Sequence, residues 1–164
     1  MHIRPFRNSD YPGIAAIHVQ GIAAGNATFL AQPMDFEAWD QAKLPACRLV
    51  AEEKGVVIGW AALAPWSGQC FYAGVAEVSL YVADEAQSRG VGSALMETLV
   101  NCSEQAGIWS LQALIFPENT ASIALHRKHG FRELGVMERP GQMPDGRWRD
   151  VLIMERRSRV AGRT

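Results

Sequence analysis

Apolar residues recur along the 164-residue chain with two different periods, and each change of period marks an element. Ala76, Val78, Leu80 and Val82 alternate with Glu77, Ser79 and Tyr81, the pattern of a strand with one apolar face. Val91, Leu95, Leu99, Cys102 and Ala106 then fall three or four residues apart. That is one stripe of a helix, stopped by Gly107. The continuous apolar run Trp109–Phe116 suits a strand buried on both faces. Asn119 is placed to cap a helix that reaches His129 and closes at Gly130. Upstream, His2–Arg4 reads as a short strand. Asn8-Ser9-Asp10 reads as a cap with Pro12 in the first turn, and Ile14, Ile17, His18 and Ile22 carry that helix to about Ala24. Asp35 caps a second, short helix that stops before Pro45. Arg48–Glu52 and Val56–Leu63 form a hairpin around Glu53-Lys54-Gly55, and Trp66–Gln69 is a loop. Phe131–Glu138 and Arg147–Met154 complete the strands, with Gly141–Gly146 between them. The order β-α-α-β-β-β-α-β-α-β-β predicts an α/β (α+β) fold: a mixed sheet with helices on its faces, not a barrel or a sandwich.

Composition narrows the class. With 48% hydrophobic and 20% charged residues the chain is of ordinary globular character, not a disordered one. A net charge of −1 supplies no broad positive field, so no nucleic-acid partner is expected. No apolar run approaches the ~20 residues that span a bilayer, and Met1–Pro5 does not read as a signal peptide. The expectation is a soluble, cytoplasmic protein without a membrane partner. Residues 1–155 are expected as one domain, and the basic stretch 156–164 as a frayed tail. Cys47, Cys70 and Cys102 are odd in number and far apart, so neither a disulfide framework nor a zinc ribbon is expected.

Chemistry concentrates where the strand at 76–83 meets the helix that follows. Between them stand Gly90 and Gly92, two apart at the helix mouth. Glycine lets the backbone approach an anion closely, and a new helix presents unpaired N–H groups at its positive end. Such a turn can hold a pyrophosphate, although two glycines at a helix start also fit plain loop geometry. A triphosphate P-loop is excluded because Gly-Lys-Ser/Thr is absent, and Leu95 stands where a Rossmann fingerprint needs its third glycine.

Gln87-x-x-Gly90-x-Gly92 after an apolar strand resembles the acyl-CoA pyrophosphate motif of the GNAT acetyltransferase superfamily. The resemblance extends to Asn119-x-x-Ser122, Leu125-His126 and Gly130-Phe131, at that superfamily's spacings. Ala76–Val82 and Gly146–Val151 are similar to the phosphinothricin N-acetyltransferase branch, which also acts on methionine sulfoximine and methionine sulfone. Coverage runs from Ile3 to about Met154. The resemblance implies a mostly antiparallel central sheet flanked by helices, with a splayed-strand cleft for acetyl-CoA. It implies direct acetyl transfer to a small-molecule amine, no metal, and a homodimer. Leu80, Tyr81 and Val82 would offer backbone N–H groups to the acetyl carbonyl and pantetheine. Gln87, Ser88, Arg89, Gly90, Val91, Gly92 and Ser93 would hold the pyrophosphate, and Asn119 and Ser122 would reach the cofactor from the next helix.

Glu77 stands where relatives carry the base that takes the amine's proton, and a carboxylate in a desolvated cleft is suited to accept one. Its ordinary reading is an edge-strand carboxylate or an ion-pair partner. His126 stands where many members place a tyrosine that protonates the departing thiolate; a histidine packed on the helix face fits the position equally. His126-x-x-His129 lacks the third ligand a metal needs. For the acceptor, Trp66, Phe71, Tyr72 and Trp148 can build an aromatic wall beside Glu77, though aromatics more often fill cores. Relatives commonly have a basic residue in the loop before the glutamate strand, but 67–75 contains no Lys or Arg. Arg147, Arg149 or a second subunit are the remaining sources of a carboxylate partner. Two alternatives stay open: acetylation of a peptide N-terminus or another small amine, and a non-catalytic CoA-binding module.

Overall fold

In the computed structural model, which describes residues 1–163, β1 (His2–Pro5) lies antiparallel to β2 (Leu49–Glu53), and β2 turns back on β3 (Val56–Pro65). Lys54 and Gly55 at the turn both have positive φ, 52° and 79°, the hand that suits a two-residue hairpin. Before them come α1 (Tyr11–Ala23) and α2 (Phe36–Ala42). Asp35 caps α2 as expected, its Oδ1 accepting from Ala38 N–H at 2.8 Å. Asp10 does not cap α1. Its carboxylate accepts two bonds from the Arg4 guanidinium, both 2.8 Å, and one from Arg7 N–H. That pairing holds the carboxyl below the usual range and pins β1 to the start of α1.

The second half supplies β4 (Val75–Val82), α3 (Val91–Gln105), β5 (Ser110–Ile115), α4 (Thr120–Lys128), β6 (Arg132–Gln142) and β7 (Trp148–Arg157). Seven strands form one mixed sheet in the order β1-β2-β3-β4-β5-β7-β6, with β4 and β5 as its parallel pair. The two faces are covered from opposite sides. On one, Tyr81 stacks on Trp60 at 5.1 Å, and its ring lies where a Cβ on Gly21 of α1 would stand, 2.8 Å away. On the other, α3 buries Val91, Leu95, Met96 and Leu99; a Cβ on Gly59 would meet Leu95 Cδ1 at 3.0 Å. Gly59 is therefore what lets α3 sit close to β3.

One departure from regular pairing makes the cleft. β4 stays in register with β3 without a shift from Ala76↔Pro65 to Val82↔Gly59. With β5 it pairs only over Val75–Glu77. Beyond Glu77 the two strands diverge, so the expected splay opens at that residue.

Two expectations need correction. The basic end does not fray at Glu155: β7 continues through Arg157, Ser158 is buried, and its Oγ donates to Glu104 of α3 at 2.9 Å. Arg156 joins the same carboxylate at 3.0 Å, so the arginines that look like a tail in sequence anchor the last strand. Cys47 and Cys102, 55 residues apart, form a disulfide, whereas Cys70 is free and exposed. Packing of α3 against β2 brings the pair together, a tertiary contact that sequence spacing does not contain. No helix among the described residues is long and apolar enough to cross a membrane.

Candidate active site

The splay opens into a cavity of about 920 Å³, bounded by β4, β5, the N-termini of α3 and α4, and the 24–30 segment after α1. Three backbone features make one side of it receptive to an anionic, carbonyl-bearing ligand.

The first is β4 itself. Trp66 N–H donates to Val75 O at 3.2 Å and Ala83 N–H to Ile58 O at 2.9 Å, so odd-numbered residues turn their backbone toward β3. Alternation in an antiparallel pair turns Val78, Leu80 and Val82 the other way, to the side β5 has left. The N–H groups of Leu80 and Val82 thus face the cleft. Tyr81, expected as a third backbone donor, gives its N–H side to β3 and contributes its ring to the cavity wall instead.

The second is α3, whose N-terminus has no capping side chain, with its first bond running from Ala94 N–H to Gly90 O at 3.0 Å. Val91, Gly92 and Ser93 therefore present N–H groups that the helix does not use. The third is the turn before it. Ser88 (φ 59°) and Gly90 (φ 81°) are left-handed on either side of Arg89, an alternation that gathers successive N–H groups into a concave nest. Ser93 Oγ lies 2.9 Å from His129 Nε2 and accepts from Lys128 Nζ at 3.2 Å, which sets a cation beside the nest. Gln87, Ser88, Gly90, Val91, Gly92 and Ser93 all border the cavity. Arg89 does not; its guanidinium is turned to the Glu53 carboxylate at 2.8 Å.

Asn119 does two things at once. Its Oδ1 caps α4 through Ser122 N–H at 3.2 Å, and its Nδ2 donates to Asn26 O at 3.1 Å, tying the helix mouth to the segment across the cleft. His126, one turn beyond Ser122, is 5% exposed and meets Phe131 edge-on. Its Nδ1 lies 2.7 Å from Ser122 O; a carbonyl only accepts, so Nδ1 carries the proton. Burial holds the ring below its ordinary range, more than the Ser122 bond raises it. Near neutral pH His126 is a neutral imidazole with its lone pair on Nε2, a poor proton donor.

Glu77 sits at the vertex of the splay, the last β4 residue paired with β5, opposite Gln112. Burial pushes its carboxyl above the usual range, and the charge of Lys43 draws it partly back. Lys43 ends α2 and reaches across to β4, donating from Nζ to Ser79 Oγ at 2.8 Å. Around them stand Trp39, Trp60, Tyr81 and His18, whose ring is 4.8 Å from Tyr81. Desolvation raises the Tyr81 hydroxyl to about 12, which removes it as a base.

Trp66, Phe71, Tyr72 and Trp148 are exposed and lie outside this cavity; its aromatic wall is made by Trp39, Trp60, Tyr81, Phe29 and Phe116. Residue type alone offers these aromatics from sequence; their places at the β3–β4 connection and at the start of β7 keep them off the cavity wall. Arg147 is turned to Asp145, and Arg149 to Gly25 O, Asn26 and Glu118 while it stacks 3.9 Å over Phe116. Neither borders the cavity. Lys43, His18 and Lys128 carry no signal in the sequence, and His129 is notable there only as half of a metal pair without a third ligand. The missing cation in the 67–75 loop was the one hint that a residue elsewhere must serve. Among the described residues no three of His, Cys, Asp and Glu gather to hold a metal ion.

The sequence model of the acetyltransferase (GNAT) family matches residues 16–131. A methionine sulfoximine/methionine sulfone acetyltransferase of Pseudomonas aeruginosa is 33% identical over 159 residues, covering 93% of this chain and 92% of that one. A phosphinothricin N-acetyltransferase of Alcaligenes faecalis is 34% identical over 163 residues, covering 94% and 81%. The crystal structure of a phosphinothricin acetyltransferase from Sinorhizobium meliloti in complex with acetyl-CoA superposes with a TM-score of 0.88 at 30% identity. That match covers 99% of this chain and 91% of that one.

Proposed function

This chain belongs to the acetyltransferase (GNAT) family, and from that premise we propose that it transfers the acetyl group of acetyl-CoA to the primary amine of a small amino-acid analogue, of the methionine sulfone, methionine sulfoximine or phosphinothricin type. The observation that carries the reading is the position of Glu77, the one carboxylate on the cavity wall among the described residues, at the vertex between a strand with unpaired N–H groups and an uncapped helix N-terminus.

Bound acetyl-CoA supplies the thioester. The nest at 88–93, with Lys128 beside it, is suited to a pyrophosphate, because backbone N–H groups and a helix N-terminus complement its charge without a Cβ in the way. The N–H groups of Leu80 and Val82 are already oriented toward the place where a carbonyl oxygen gains charge as an amine adds to it. Preorganised donors in a cleft shielded from water act most strongly there. Glu77 takes the proton from the acceptor's ammonium, directly or through one water, and its raised range brings it closer to the amine it must deprotonate. His126 enters as a hydrogen-bonding group rather than as the proton donor, since its Nδ1–H is committed and its ring is neutral. We take the working unit to be a homodimer, on family likeness, and place it in the cytoplasm on the composition of the chain.

The test is release of free CoA with methionine sulfone, methionine sulfoximine, phosphinothricin and a short peptide as acceptors. Thiol release with the amino-acid analogues is expected. Peptide turnover with silent analogues would transfer the reading to N-terminal acetylation. Acetyl-CoA binding without thiol release from any amine would make the chain a binding module.

A further inference from the structure

Glu77 is the single Asp or Glu on the cavity wall, and Lys43 is its single Lys or Arg, among the described residues. Both belong to the same side of β4: Lys43 Nζ is bonded to Ser79 Oγ, and Ser79 projects on the same face as Glu77, two residues along. An ammonium carries three donors. Here one goes to a neutral hydroxyl, and Lys43 forms no ion pair among the described residues. A half-buried cation with one neutral partner, and with Glu77 beyond ion-pair distance, is suited to receive a further anion. A second polar group stands in the same condition beside it: His18 is buried, borders the same cavity, and its Nε2 has no partner. Arg147 and Arg149, the arginines that sequence alone left as candidates, are paired with Asp145 and Glu118, and neither borders the cavity.

A free α-amino acid has its ammonium and its carboxylate on one carbon. A carboxylate and an ammonium held side by side on a cavity wall are the complement of that zwitterion. Resting on the acetyltransferase reading above, we infer that Lys43 receives the α-carboxylate of the acceptor, so that its amine is delivered to Glu77 and the site selects free amino acids over peptide N-termini and carboxyl-free amines. The arrangement also couples the two groups. Once a carboxylate neutralises Lys43, the pull of the lysine on Glu77 weakens, and Glu77 becomes a better proton acceptor when the right substrate is bound. In this chain a lysine from the end of α2 thus replaces the cation that the 67–75 loop lacks.

The experiment compares wild type with Lys43→Met, which keeps the stem and removes the charge, and with Lys43→Arg. Acceptors are methionine sulfone and its carboxyl-free counterpart, 3-(methylsulfonyl)propylamine. The preference for methionine sulfone, read as a ratio of kcat/KM values, is expected to fall roughly 10–100-fold in Lys43→Met, the usual worth of a charge-assisted hydrogen bond. The loss should reside mainly in the KM for methionine sulfone and be partly restored in Lys43→Arg. Equal losses for both amines, with a lower Tm or weaker acetyl-CoA binding, would make Lys43 structural and overturn the inference. So would a wild-type enzyme that does not discriminate between the amines. Calorimetry of methionine sulfone binding in the presence of CoA gives a readout independent of turnover. If wild type releases no CoA yet binds methionine sulfone more tightly than Lys43→Met, the acetyltransferase reading fails and the carboxylate site stands; equal affinities remove the site.

Discussion

Replacing Glu77 by Gln tests the proposed chemistry most directly. The variant keeps the shape of the side chain at the vertex of the splay but cannot accept a proton. An acceptor amine with a pKa between the α-amino and lysine reference values, about 8–10, is unprotonated at pH 7 in roughly one molecule in 10 to 10³. The other titratable acceptors on the cavity wall are weaker: Tyr81 is raised to about 12 and stays protonated, and burial lowers His18 and His126, which makes each a poorer base than an ordinary imidazole. The expected loss of turnover near pH 7 is roughly 10²–10⁴, the range of a positioned general base. Raising the pH should restore part of it, about tenfold per unit, until the amine itself is deprotonated. Wild type should instead show a rising limb with its midpoint above the ordinary carboxylate range, because burial raises Glu77. Stability should move the other way. A carboxyl whose folded pKa lies above its unfolded value favours folding only at low pH, and that contribution is lost as pH rises through the raised range. At neutral pH the buried charge therefore opposes folding, and Glu77→Gln should not lower the Tm. Thiol-release rates from pH 6 to 10 with melting curves alongside are the assay. A variant that keeps more than about a tenth of wild-type turnover would refute the assignment. A loss without pH rescue, accompanied by a lower Tm and weaker acetyl-CoA binding, would refute it equally.

Other outcomes follow from neighbouring geometry. A Cβ at Gly92 lies 3.3 Å from Leu125 Cδ2 and 3.6 Å from Val82 Cγ2. Both side chains border the cavity, so Gly92→Val sets a branched group on the wall beside the nest and should weaken acetyl-CoA binding roughly tenfold or more while the circular dichroism stays native; unchanged affinity in calorimetry would remove the nest from the cofactor site. His126→Gln should cost less than about tenfold in turnover and remove no limb from the pH profile, whereas a general acid would cost 10²–10⁴. Reducing the Cys47–Cys102 bridge, whose partners are 55 residues apart, should destabilise the fold by up to about 4 kcal/mol on loop entropy. That corresponds to a fall in Tm of roughly 8–16 °C, and a Tm indifferent to dithiothreitol would show that the bridge does not contribute.

Periodicity was sufficient where an element's fate is local. The alternation at 76–82, the stripe from Val91 to Ala106 and the Asn119 cap are carried by neighbouring residues, and β4, α3 and α4 stand within a residue or two of those expectations. Local pattern failed where a long-range partner overrode it. Asp10 has the chemistry of a helix cap, yet a guanidinium from β1 offers it two charge-assisted bonds and takes it. The arginines at 156 and 157 are basic and aperiodic, but pairing with β5 and a carboxylate on α3 order them. The site divides along the same line. Glu77, the glycine turn and Asn119 stand out in the sequence because the places proposed for them depend on a strand end or a helix mouth a few residues away. Three other features exist only when distant elements meet: the divergence of β4 from β5 after Glu77, the disulfide between β2's approach and α3, and Lys43 arriving from α2 to stand beside Ser79. The short-range sequence determined which backbone groups would be left unpaired. Tertiary packing decided which charges would be buried next to them, because the cost of desolvating Lys43 and Glu77 depends on what surrounds them and not on their places in the chain.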